Sequence, residues 1–136
     1  MLKITKRILV ATLSGFLISL AGFLYIGSVL GFNSSVAWGV LLWYTFIGFL
    51  IGLAGTLDKH PILGFRLIFL RGALIAGVLN LSLALIAKQE FQNFFSSLPF
   101  GIEYISIIEG IIVGVIIDAI ATKIGGEGKE LLNEKK

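Results

Sequence analysis

Four stretches of the chain, residues 8–32, 36–57, 63–87 and 102–124, are dominated by Leu, Ile, Val, Phe, Ala and Gly. A bilayer core about 30 Å thick is crossed by roughly 20 apolar residues in helical form, and each stretch reaches that length. A chain inside lipid must satisfy its backbone groups internally, which leaves helices or closed barrels. Runs this long and continuous suit helices. The pattern therefore predicts an all-α integral membrane bundle of four antiparallel transmembrane helices, in one domain covering residues 1–136. Composition points the same way. The chain is 57% hydrophobic and only 14% charged, whereas soluble domains carry about 25% charged residues.

The breaks between spans have their own chemistry. Asn33, Ser34 and Ser35 supply a turn and an N-cap. Asp58, Lys59, His60 and Pro61 combine charge with a residue that cannot continue a helix. The long loop, residues 88–101, holds Phe91, Phe94, Phe95 and Phe100, which suits a segment lying on the membrane surface. A basic tail follows at 125–136. The opening "MLKITKR" resembles the basic start of a signal peptide. The apolar run behind it exceeds a signal core, and no small-residue cleavage site follows, so a retained first span is expected.

Basic residues set the orientation. With the N-terminus in the cytoplasm, Lys3, Lys6, Arg7, Lys59, Arg66, Arg71, Lys123, Lys129, Lys135 and Lys136 fall inside or near the inner boundary. Of the 11 basic residues, only Lys88 falls outside. This asymmetry predicts a multi-pass protein of the cell membrane, in bacteria the inner membrane, with both termini cytoplasmic. Anionic lipid headgroups are the expected partners of the basic loop and tail.

Helices in lipid associate through close backbone approach at small residues. Gly48 and Gly52 on the second helix and Gly110 and Gly114 on the fourth form G-x-x-x-G packing motifs. Gly27 and Gly31 form a third near the outer end of the first helix, and Ala73, Ala76, Gly77 and Ala84 share a face of the third. The strings "GFLISLAGFL" (Gly15 to Leu24) and "GFLIGLAGTL" (Gly48 to Leu57) agree at eight of ten positions. They fit either a relic of an inverted repeat or coincidence within a small alphabet.

Charges inside a span cost about 2.5–3.5 kcal/mol or more near its centre and usually face a partner or a wet cavity. Arg71 lies about 12 Å, and Asp118 about 9 Å, from the inner ends of their helices. The third and fourth helices are antiparallel neighbours, so the two side chains can meet as a structural ion pair. The other reading of Asp118 is a cation or proton site. Asn80 and Glu109 share a depth in the outer half. Nine residues turn a helix by about half a turn beyond two full turns. Arg71 and Asn80, like Glu109 and Asp118, are therefore expected on opposite sides, and both contacts cannot share one interface. Asn80 suits a helix-to-helix hydrogen bond. Glu109 is a candidate polar or ion site, expected as a neutral or titrating contact, with Ser14, Ser19 or Thr45 as its available neighbours or else a second subunit. Trp38, Trp43 and Tyr44 read as an aromatic belt at the outer end of the second helix.

The chain has no cysteine and a single histidine. That excludes a thiol nucleophile and a cysteine metal site, and a lone histidine makes no metal site. No phosphate-binding loop, serine-hydrolase elbow or zinc-protease motif is present. No catalytic residue, metal or cofactor is assigned, and nucleic acid is not an expected partner.

The segments "WYTFIGFLIGLAG" (Trp43 to Gly55), "HPILGFRLIFLRGALIAG" (His60 to Gly77) and "IIEGIIVGVIIDAIATK" (Ile107 to Lys123) resemble a family of small, uncharacterised four-span bacterial membrane proteins. The resemblance implies a membrane location and no activity. Small multidrug exporters carry a membrane glutamate in the first helix, and residues 8–32 contain no acid. Dual-topology fluoride channels lack a charge bias, unlike this chain. Two functions remain. One is a non-catalytic scaffold or accessory subunit of a membrane complex. The other is a small homo-oligomeric transporter or channel using Glu109, Asn80 and Asp118.

Overall fold

The computed structural model describes residues 3–55, 68–90 and 102–125. Within them the chain is all-helical: α1 (Lys3–Leu30), α2 (Ser35–Ala54), α3 (Ile68–Glu90) and α4 (Ile102–Gly125). Lys6–Leu30 and Ser35–Ala54 are long and apolar enough to cross a membrane, and Arg71–Ile86 is a shorter apolar helix. The Asp58–Pro61 break, Arg66, the loop phenylalanines and the tail from Gly126 onward lie outside the described residues.

Helix α1 starts at Lys3, ahead of the expected boundary at residue 8, so Arg7 belongs to its second turn. It ends at a tight turn. Gly31 adopts φ 94°, a left-handed conformation that glycine reaches without strain. Its N–H donates to Gly27 O at 2.9 Å. Ser34 then caps α2: its Oγ accepts from Val36 N at 3.2 Å while its backbone is extended. Phe23, Phe32 and Trp38 gather over this turn, with ring centroids 5.7 and 5.1 Å apart.

Helices α1 and α2 pack tightly as one hairpin, and α3 and α4 as another. Contact of α1 with α4 is the main join between the two, with slighter contact of α2 on α3 and α4. Glycines decide how close each hairpin can be. A Cβ on Gly15 would lie 3.2 Å from Gly48 Cα and strike Tyr44 O. A Cβ on Gly48 would lie 3.2 Å from Gly15 Cα and strike Ala11 O. Each glycine thus meets the other and the carbonyl four residues before it, a local two-fold relation. These are the first residues of the two similar ten-residue strings. Gly52 lies against Ile8 and Ala11. In the second hairpin a Cβ on Gly72 would strike Gly114 O and one on Gly114 would strike Gly72 O, while Gly110 lies against Ala76 O.

The Gly27–Gly31 motif is a correction. Gly27 faces the ring of Phe32, and Gly31 has open space around it. Both lie at the turn that ends the helix.

Between the hairpins lies a core of Ala11, Tyr44, Ile47, Ile51, Ala76, Val113, Ile117 and Ala121. Large apolar side chains otherwise point outward, among them Leu17, Leu42, Val78, Ile86 and Ile108 at 58–67% exposure.

Candidate functional site

Two polar clusters sit inside the bundle, one near the C-terminal end of α4 and one nearer its start. The first is built on Asp118, which is fully buried. Arg71, from the second turn of α3, donates Nε to both Asp118 oxygens at 3.0 Å, and its Nη2 lies 3.0 Å from Oδ1. Arg7 of α1 donates Nη2 to Oδ1 at 2.9 Å. The Gly72 N–H donates to Oδ2 at 3.2 Å. Thr122, one turn beyond Asp118, accepts from Arg7 Nη1 at 3.2 Å and from Arg71 Nη2 at 3.3 Å. One carboxylate therefore binds two guanidinium groups from two helices, and Arg7 and Arg71 engage further partners besides. A charge removed from solvent is tolerated when it is paired and hydrogen-bonded, and each group in this cluster provides that for the others.

The structure thus brings Arg71 and Asp118 together. Arg7 is the member of this cluster that sequence reasoning missed. Expected among the basic residues at the inner boundary, it is fully buried. Its place is made by two glycines. Gly55, capping α2, lies against the Arg7 side chain, a Cβ there coming 2.8 Å from Cδ. Gly125, closing α4, lies against its backbone, 2.7 Å from Cα. Any side chain at either position would push Arg7 away.

The second cluster is built on Asn80 of α3, which is 2% exposed. Trp43 Nε1 donates to Asn80 Oδ1 at 3.1 Å. Asn80 Nδ2 donates to Tyr44 Oη at 2.8 Å and to the Ser106 carbonyl at 3.1 Å. An indole N–H can only donate and a carbonyl can only accept, so these partners fix the orientation of the amide. Asn80 joins α2, α3 and α4 with both amide protons in use. Trp43 and Tyr44 are therefore not belt residues: their polar atoms turn inward to Asn80. Trp38 does face outward, 51% exposed, and donates Nε1 to Phe32 O at 3.0 Å.

Arg71 and Asn80 both reach α4, which corrects the expectation of opposite sides. Gly72, Ala76 and Asn80 form the stripe that meets α4. Arg71 sits one residue off that stripe, and its long side chain swings across to Asp118.

Glu109 lies apart from both clusters. It is exposed and lines an open apolar depression with Ile108, Ile112 and Val113. Its carboxylate is an electrostatic neighbour of the Tyr44 hydroxyl. The neighbours expected for it are occupied elsewhere: Ser14 Oγ donates to Val10 O at 2.8 Å, Ser19 Oγ to Phe16 O at 2.8 Å and Thr45 Oγ1 to Leu41 O at 2.7 Å. Small hydroxyls in a helix bond to the preceding turn when no stronger acceptor is near.

Among the described residues no group of three or more His, Cys, Asp or Glu side chains could hold a metal ion. No family model matches the chain, and no curated protein or solved structure matches it either.

Proposed function

We propose that the chain is a non-catalytic, four-span integral membrane protein of the bacterial inner membrane, with both termini cytoplasmic, acting as a scaffold or accessory subunit of a membrane complex. The observation that carries this reading is the inverted distribution of its side chains. Arg7, Arg71, Asn80 and Asp118 are buried, while Leu17, Leu42, Val78, Ile86, Ile108 and Ile112 lie at least half exposed. A water-soluble monomer rarely leaves large contiguous apolar surface uncovered. Lipid is a fitting solvent for these faces, and the charges are satisfied where lipid cannot reach them. The exposed Lys6 and Lys123 sit at the end of the bundle where anionic headgroups would meet them.

The interior polar groups favour a structural role over a conduction path. Asp118 and Asn80 are held by several donors or acceptors each, an arrangement that joins helices instead of presenting free ligands to an ion. The test is purification in nanodiscs followed by mass measurement and reconstitution into liposomes. A stable embedded protein that supports no ion flux fits this reading. Flux that disappears in Glu109→Gln would favour the small homo-oligomeric transporter or channel.

A further inference from the structure

Two hydrogen bonds in the Asn80 cluster run in one direction. Trp43 donates to Asn80 at 3.1 Å, and Asn80 donates to Tyr44 at 2.8 Å. With its oxygen already accepting, the Tyr44 hydroxyl has its proton to give, and Glu109 is its acidic neighbour. Glu109 itself is exposed and borders an open apolar depression with Ile108, Ile112 and Val113. A carboxylate on an apolar, lipid-facing surface is costly without an oppositely charged group. Among the described residues, no donor that carries positive charge lines the depression.

Among the described residues, a second copy of the chain provides none at the depth of Glu109. With the basic residues on one side, a two-fold dimer has its axis along the membrane normal, and residues meet at equal depth. Glu109 would then meet residues of its own depth. Among the described residues, the exposed Ser28 and Ser82 hydroxyls donate to Tyr25 O at 2.6 Å and to Val78 O at 3.0 Å within their own helices. Tyr25 lies too far out. Arg7 is level with Asp118, Tyr25 is 18 residues beyond Arg7, and Glu109 only nine from Asp118, so Tyr25 stands about 13 Å further along the bundle. The exposed Lys6 and Lys123 are at the opposite end.

We propose that the α4 face around Glu109 receives a transmembrane helix of a different protein, and that this helix brings a lysine or arginine to the Glu109 carboxylate. The stiff, β-branched Ile108, Ile112 and Ile116, exposed by 58, 54 and 44%, form the i, i+4, i+8 row against which such a helix packs. The proposal rests on the accessory-subunit reading and names the chemistry of its partner.

The test uses the full chain in phosphatidylcholine vesicles and Leu-rich transmembrane peptides as probes. One peptide carries a single arginine at the depth of Glu109, and the other carries leucine there. Association is read by energy transfer between labels. The expected result is binding of the arginine peptide at least about tenfold tighter than the leucine peptide, the scale of a close charge pair, with the preference lost in Glu109→Gln. Equal binding of both peptides, or a preference that survives Glu109→Gln, overturns the proposal. So does a protein that is dimeric by mass and becomes monomeric in Glu109→Gln. A chain that alkaline carbonate strips from vesicles sinks the membrane reading as well, whereas an embedded chain indifferent to the arginine sinks this proposal alone.

Discussion

Arg7 Nη2 donates to Asp118 Oδ1 at 2.9 Å across 111 residues of chain, and both side chains are fully buried. The contact ties the first helix to the last and so closes one hairpin onto the other. Arg71 approaches the same carboxylate from α3, and Thr122 bridges the two guanidinium groups. Three of the four helices therefore converge on one aspartate.

Asp118→Asn keeps the shape of the side chain and removes its charge. Two buried guanidinium groups lose the negative charge they share, and a loss of about 3–5 kcal/mol in unfolding free energy is expected. Double-mutant cycles with Arg7→Met and with Arg71→Met should each show a coupling of about 0.5–3 kcal/mol to Asp118. Denaturation in mixed micelles measures both. A cycle in which Arg7 and Asp118 are additive would contradict the geometry.

The helix seams predict a contrast among glycines. Gly48→Ala and Gly114→Ala put a methyl group against the backbone of a neighbouring helix, and each should cost about 1–3 kcal/mol through forced separation. Gly39 has nothing within 4 Å of its Cβ position. Gly39→Ala should stay within about 0.5 kcal/mol of the parent. Equal stabilities for the three variants would mean that the helices are not packed at these points.

Gly55 and Gly125 flank Arg7 differently, and the difference is measurable. The atoms nearest a methyl group at Gly55 are those of the Arg7 side chain, while those nearest one at Gly125 include its backbone. Gly55→Ala should destabilise the parent and lose that effect in an Arg7→Ala background. Gly125→Ala should destabilise both. Unfolding of the four combinations decides it, and a Gly55→Ala cost unchanged by Arg7→Ala would place the arginine elsewhere.

Apolar spans are legible in sequence because hydropathy needs no partner to be read. Helix rotation is harder to read when most faces are apolar, and the signal then sits in polar and small residues. Depth arithmetic was enough to bring Arg71 to Asp118. The same arithmetic applies to Arg7, but a charge at the edge of an apolar run reads as a solvated flank, and the glycines that make room for it, Gly55 and Gly125, are remote in sequence. Tyr44 had a usable signal. It lies on the row Ala37, Leu41, Tyr44, Gly48, Ile51, spaced by fours and threes, and each of these residues is buried. Residue type alone suggested a belt, whereas the spacing marked a buried face. The outward turn of Glu109 left no such trace, because its neighbours Ile108 and Ile112 are as apolar as the residues that face inward.

Asn80→Leu removes the acceptor of Trp43 and the donor of Tyr44. Interhelical hydrogen bonds within membranes average about 0.6 kcal/mol and reach about 1.7, so losing three bonds should cost roughly 1–3 kcal/mol. In a Trp38→Phe background Trp43 is the only indole, and its emission should shift on loss of its partner. An unchanged spectrum would show that the indole is not bonded to Asn80.

The most direct test of the proposed membrane-embedded bundle is its topology. The absence of native cysteine leaves single introduced cysteines at Ser34, Ser96 and Asn133 as clean reporters. In intact cells an impermeant maleimide should label Ser34→Cys and Ser96→Cys, and should reach Asn133→Cys only after the membrane is opened. Labelling of Asn133→Cys from outside, or equal labelling of all three before and after lysis, would contradict four spans with cytoplasmic ends.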